Sequence, residues 1–169
     1  MEKIKQEKIK HDPIFNLPTH FVLGGRYISG ASIVDALVKQ IRTYLEENCQ
    51  QLDLHIIHRF PVASCETASL LLGKILADKY PEKDIKLVKG TNSKKYEMHF
   101  WINADGNTFD ITADQFKGVN APLYGEESQV ILNRFDDLEL IPIQQALLEN
   151  DFSNTKEEQF IEISNVIRN

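Results

Sequence analysis

Residues 99–112 read HFWINADGNTFDIT, and this stretch decides the fold. Asp105-Gly106 is a strong signal for a two-residue hairpin turn, whose central positions need the positive φ that Gly and Asp tolerate best. With that turn Ala104 pairs with Asn107, Ile102 faces Phe109 and Phe100 faces Ile111. Side chains alternate across a strand, so Phe100, Ile102, Phe109 and Ile111 share the expected core face. The other face carries His99, Trp101, Asn103, Thr108, Asp110 and Thr112. There His99 faces Thr112 and Asp110 faces Trp101. His99 and Asp110 become diagonal neighbours, with backbones roughly 7–8 Å apart. A carboxylate and an imidazole bridge that gap with a hydrogen bond. The pattern places a His–Asp pair on the non-core side of a hairpin.

Upstream, residues 64–76 read SCETASLLLGKIL. Ser64 reads as the N-cap of a helix over about 65–79, stopped before Pro81. Ala68, Leu71, Leu72, Ile75 and Leu76 form its apolar stripe. Cys65 then stands in the first turn, where unpaired backbone N–H groups and the helix dipole favour a thiolate. Ala63, Ser64, Thr67 and Ala68 are small and leave room for a substrate. Taken singly, Cys65 reads as a small core residue, His99 as a satisfied strand histidine and Asp110 as a hydrogen-bond partner at a sheet edge. Taken together they read as nucleophile, base and orienting carboxylate. The Cys65 thiolate attacks a carbonyl to form a thioester, which water or an amine resolves. The Cys65 N–H supplies one oxyanion donor. Arg59, Ser64 and Trp101 are the candidates for further oxyanion or substrate contacts.

These residues resemble the papain-like and transglutaminase-like thiol enzymes. HFWINADGNTFDIT is similar to the transglutaminase-core pattern of a His-x-Trp strand, a turn and an Asp-bearing strand. SCETASLLLGKIL resembles the nucleophile helix, and DITADQF (110–116) looks like a bacterial branch of the superfamily. The resemblance covers about residues 60–116. It implies an α+β fold of papain-like or transglutaminase-core type, with the Cys65 helix packed on an antiparallel sheet. It implies a cysteine hydrolase, a peptidase or amidase acting on a peptide, protein or small amide or ester. An acyltransferase or deamidase is the nearest alternative, and a binding module that has lost turnover is the rival from another class. The chain departs from the pattern in two places. Papain-type enzymes carry a Gln shortly before the nucleophile, whereas residues 52–64 contain neither Gln nor Asn and Arg59 stands near that place. Glu66 follows the nucleophile where transglutaminases carry Trp.

The remaining sequence bounds the reading. A chain of 169 residues with 42% hydrophobic and 26% charged residues suits one soluble domain, 1–169. Residues 1–29, with Pro13, Pro18, Gly24 and Gly25, read as a mostly irregular lead-in. A net charge of -6 argues against nucleic acid or an acidic membrane as partner. The basic run Lys3, Lys5, Lys8, Lys10 reads as a solvated arm. No apolar run is long enough to span a bilayer, and no apolar core of a signal peptide stands at the N-terminus. A cytoplasmic location is expected, with export by a signal-independent route left open. Cys49 and Cys65 form no disulfide framework. His55 and His58 would point to opposite faces of a strand, so no metal site is expected, and no cofactor. Further elements are a helix from Ser32 to about Asn48 and a strand or extended run at 52–60. A short strand at Leu87 and Val88 follows, then loops at 91–96 and 117–127 and a strand at 129–132. Helices at about 142–149 and 155–168 close the chain. Asp114 and Gln115 read as turn-capping residues.

Overall fold

The computed structural model describes residues 20–23, 26–150 and 154–167. Packing divides the chain into two units, residues 1–30 and 31–169. The first was expected to be an irregular lead-in, but part of it is ordered as a hairpin. Strand β1 (His20–Leu23) pairs antiparallel with β2 (Arg26–Ser29). The basic run at Lys3–Lys10 lies outside the described residues, as does the Ser32 side chain.

The second unit is α+β. Helix α1 (Gly30–Asn48) begins two residues before the expected cap and turns Val38, Ile41 and Leu45 fully inward. Helix α2 (Cys65–Lys79) starts at the nucleophile candidate. Its expected stripe is buried, but so are Ser69, Leu70 and Gly73. The helix is enclosed because it lies across the sheet on one side and against the later helices on the other.

The sheet comprises β3 (Ile85–Asn92), β4 (Glu97–Ala104), β5 (Asn107–Asp110), β6 (Leu123–Tyr124) and β7 (Asp137–Pro142). It is antiparallel in the order β6-β5-β4-β3-β7. The 104–107 hairpin has the register read from sequence, with Ala104 opposite Asn107 and Ile102 opposite Phe109. Asp105 and Gly106 take φ 51° and 85°, as the two-residue turn demands. Ser93–Tyr96 joins β3 to β4, so β3 runs two residues past the expected stop at Gly90. Helices α3 (Gln129–Leu132), α4 (Ile143–Glu149) and α5 (Asn154–Val166) complete the unit.

Two expected strands are corrected. Residues 52–60 form bends and a 3-10 turn at Ile57–Arg59. The buried residues there are Leu54 and Ile57, three apart, which is turn spacing rather than strand alternation. Residues 129–132 form the single turn α3, burying only Ile131.

The core face of the hairpin is as expected: Phe100, Ile102, Phe109 and Ile111 pack with α1, α2 and Ile143 of α4. The opposite face is not open. Val88, Trp101, Ala113, Leu123, Ile131 and Phe135 form a second, smaller core there. The chain beyond β5 folds back over that face. Among the described residues no helix is long and apolar enough to cross a membrane.

At Gly73, α2 packs closely against the sheet and α4. A Cβ there would collide with the Ile143 side chain and come within 2.9 Å of Ile102 Cδ1. Both isoleucines are fully buried and have little room to yield. Gly73→Val is expected to destabilise the protein by about 1–3 kcal/mol through overpacking, read as a lowered urea midpoint with an unchanged slope. An unchanged midpoint would mean that this contact is not tight.

Candidate active site

Cys65 opens α2, and Ser64 occupies the N-cap position. The Ser64 side chain makes no capping hydrogen bond, so no hydroxyl competes for the N–H groups of the first turn. Cys65 is partly exposed. The chain approaches it through a tightly turned segment, with Ile56 at φ 59° and Ala63 at φ 58°. A left-handed conformation at such residues costs on the order of 1–3 kcal/mol and persists only where the surroundings hold it. Gln115 does so at Ala63, its Oε1 accepting the Ala63 N–H at 3.3 Å.

His99 on β4 is 0% exposed and Asp110 at the end of β5 is 1% exposed. His99 Nε2 and Asp110 Oδ2 are 2.6 Å apart. The other carboxylate oxygen accepts the Thr112 N–H at 3.0 Å and the Thr112 hydroxyl at 3.1 Å. With Nε2 committed to Asp110, Nδ1 is the nitrogen left for the thiol. Burial pushes the imidazole pKa down, but the Asp110 charge and hydrogen bond, joined by those of Cys65, push it up more, to about 9. Cys65 is thus close enough to His99 to act on it, although Nδ1 makes no hydrogen bond of standard geometry. Such contacts are commonly long before substrate binds.

Aromatic rings seal the imidazole. Phe116 meets it edge-on at 4.7 Å, Trp101 lies tilted at 5.6 Å and Phe135 stacks at 5.8 Å between centroids. Gly90 is the register partner of His99 on β3. A Cβ at Gly90 would come within 2.9 Å of both Trp101 and Phe135, so only glycine lets these rings close over the strand.

Arg42 is the residue that sequence reasoning missed. It lies on α1 between Ile41 and Leu45, 7% exposed. Its guanidinium donates to both Asp114 oxygens at 2.9 Å, to the Ile111 carbonyl and to Glu46 at 2.7 Å. It therefore clamps the turn that follows Asp110. The one signal in the sequence was a lone arginine beside an otherwise apolar helical stripe. Asp114, read as a turn cap, is the partner of this arginine.

The three auxiliary candidates are spread apart in character. Arg59 is exposed in the 3-10 turn. Ser64 is 2% exposed, with a hydroxyl that has no partner. Trp101 is 3% exposed within the second core. His55 and His58 are exposed, and no cluster of metal-ligating side chains occurs among the described residues. Comparison with protein-family models, curated proteins and solved structures finds no match for this chain.

Two predictions follow from this geometry. The His99 pKa lies above its ordinary value of 6.5, so its stabilising effect is complete below pH ~6.5 and is lost as pH rises through about 9. The unfolding free energy should fall by on the order of 3 kcal/mol across that window, and Asp110→Asn should flatten the fall. A wild-type profile parallel to that of the variant would exclude a charged pair. Separately, Arg42→Leu should cost about 1.5–3 kcal/mol by removing the charged hydrogen bonds to the part-buried Asp114. Glu46→Ala, at the exposed end of the same network, should cost less than about 1 kcal/mol. Equal losses in the two variants would refute the clamp.

Proposed function

We propose that the protein is a cysteine-dependent hydrolase, a peptidase or amidase, working through Cys65, His99 and Asp110. The carrying observation is the buried 2.6 Å His99–Asp110 pair beside a partly exposed cysteine at a helix N-terminus. The order of a nucleophile helix, a His strand and an Asp strand in an α+β unit supports the papain-like or transglutaminase-like reading. So does the use of the DITADQF run, where Asp110, Thr112, Asp114 and Gln115 each hold a part of the site.

In this reading His99 keeps the thiol as a thiolate–imidazolium pair and Asp110 fixes the ring. The sulfur attacks the carbonyl carbon of an amide. The resulting oxyanion collapses, the imidazolium proton passes to the nitrogen, the C–N bond breaks and an amine leaves. The now neutral imidazole removes a proton from water, whose oxygen attacks the thioester. The thiolate departs, the acid is released and His99 carries the proton again. An amine in place of water makes the same site an acyltransferase, and ammonia as leaving group makes it a deamidase.

The complete burial of His99 favours a second reading, a binding module without turnover. Alkylation of Cys65 by iodoacetamide separates the two. The enzyme reading expects Cys65 to be alkylated at neutral pH much faster than an ordinary thiol, and more slowly in His99→Ala, with buried Cys49 as the slow internal reference. A thiol of ordinary reactivity, indifferent to the mutation, would rule out the triad and leave the binding module. Where turnover is found, acylation should decline as pH passes about 9, because the leaving group then lacks its proton donor.

A further inference from the structure

The thiol chemistry proposed above needs at least two donors aimed at the developing oxyanion, each typically worth about 10²–10³ in rate. The Cys65 N–H at the start of α2 is one. None of the three side chains suggested by sequence is suited to be the second. Ser64 and Trp101 are 2% and 3% exposed and offer a substrate oxygen almost no surface, and Trp101 is packed within the second core. Arg59 is exposed and no hydrogen bond or ion pair among the described residues holds its guanidinium, whereas an oxyanion donor has to be fixed in advance.

Gln115 meets the requirement. It ends the 3-10 turn Ala113–Gln115 and is half-buried, so like Cys65 it keeps some accessible surface. Its amide is held at both ends. Oε1 accepts the N–H of Ala63, two residues before the nucleophile, at 3.3 Å. Nε2 donates to the Thr112 carbonyl at 2.9 Å. A backbone N–H on one side and a backbone carbonyl on the other fix which end of the amide is nitrogen. The planar group therefore cannot turn over, and its second N–H has no partner among the described residues. Thr112 also donates both of its groups to Asp110. Gln115 thus ties the backbone ahead of Cys65 to the residue that fixes the triad carboxylate, and leaves one amide N–H free among the described residues.

We infer that the free Nε2–H of Gln115 is the second oxyanion donor, taking the carbonyl oxygen of an amide or ester held at Cys65. This inference rests on the thiol-enzyme reading. It supplies from downstream of Asp110 the glutamine that residues 52–64 lack.

Two probes test it. Iodoacetamide alkylates the thiolate without forming an oxyanion, whereas p-nitrophenyl acetate acetylates it through one and releases p-nitrophenolate. Both rates are followed at the same pH in every variant, with modification of Cys65 located by peptide mass spectrometry. Gln115→Met removes the donor and the tether to Ala63. Gln115→Glu keeps an oxygen for the Ala63 N–H but loses the donor and the bond to Thr112 and adds a charge, so each acetylation rate is divided by the alkylation rate of the same variant. The expected result is acetylation slowed about 10²–10³-fold relative to alkylation of Cys65 in both variants. Acetylation that stays normal in Gln115→Glu overturns the inference and leaves Gln115 as a tether. Acetylation that falls only in step with alkylation overturns it likewise, and if Gln115→Met does not fold, Gln115→Glu decides. An unmutated protein whose Cys65 reacts as an ordinary thiol, independent of His99, overturns the thiol-enzyme reading itself and this inference with it.

Discussion

The buried ion pair between His99 and Asp110 sets the terms for the rest of the site. Charges taken out of water cost several kcal/mol unless they are paired and the carboxylate's other lone pairs are hydrogen-bonded. Asp110 meets that condition through Thr112, whose N–H and hydroxyl both go to Oδ1. The bond has a structural consequence. The Thr112 N–H is spent on a side chain two residues back and is no longer available to a strand partner. Strand β5 accordingly ends at Asp110, and the chain turns out of the sheet. That turn carries Asp114 to Arg42 and Gln115 to Ala63, and leads the later segments back over the imidazole.

The two faces of the sheet serve different ends. One is a broad aliphatic core around α2, which fixes Cys65 on a helix enclosed on nearly all sides. The other is a small aromatic core whose rings surround His99, with Phe135 stacked on it. A site built on packed elements holds its geometry better than one built on loops. Only the approach to Cys65 departs from this rule. There the left-handed residues Ile56 and Ala63 bend the chain sharply, and side-chain bonds from Gln50, Thr67 and Gln115 to its backbone hold it.

The hairpin register was legible because turn chemistry and strand alternation are both local. Asp105-Gly106 selects the turn, and the alternation then sorts every side chain to a face. The start of α2 fell where it was read, although the Ser64 hydroxyl makes no capping bond, because the apolar stripe of the helix is itself a local pattern. Strand β7 was not read at all. Its one local signal was the short alternation of Leu138 and Leu140, and it lies at the sheet edge with both leucines largely exposed. The second core was invisible because Ala113, Leu123, Ile131 and Phe135 come from separate short segments with no common period.

The sequence by itself determined which residues carry the candidate chemistry, the register that brings His99 and Asp110 together, and the helix start that exposes Cys65. Each follows from interactions between residues close along the chain. Only the tertiary structure decided that the His–Asp pair is sealed beneath aromatic rings, that Arg42 locks the turn beyond Asp110, and that Gln115 reaches the backbone ahead of Cys65. Those contacts join residues that are distant in sequence, such as Arg42 with Asp114 and Ala63 with Gln115. Their partners are set by how helices and strands pack in three dimensions, and no local periodicity records that packing.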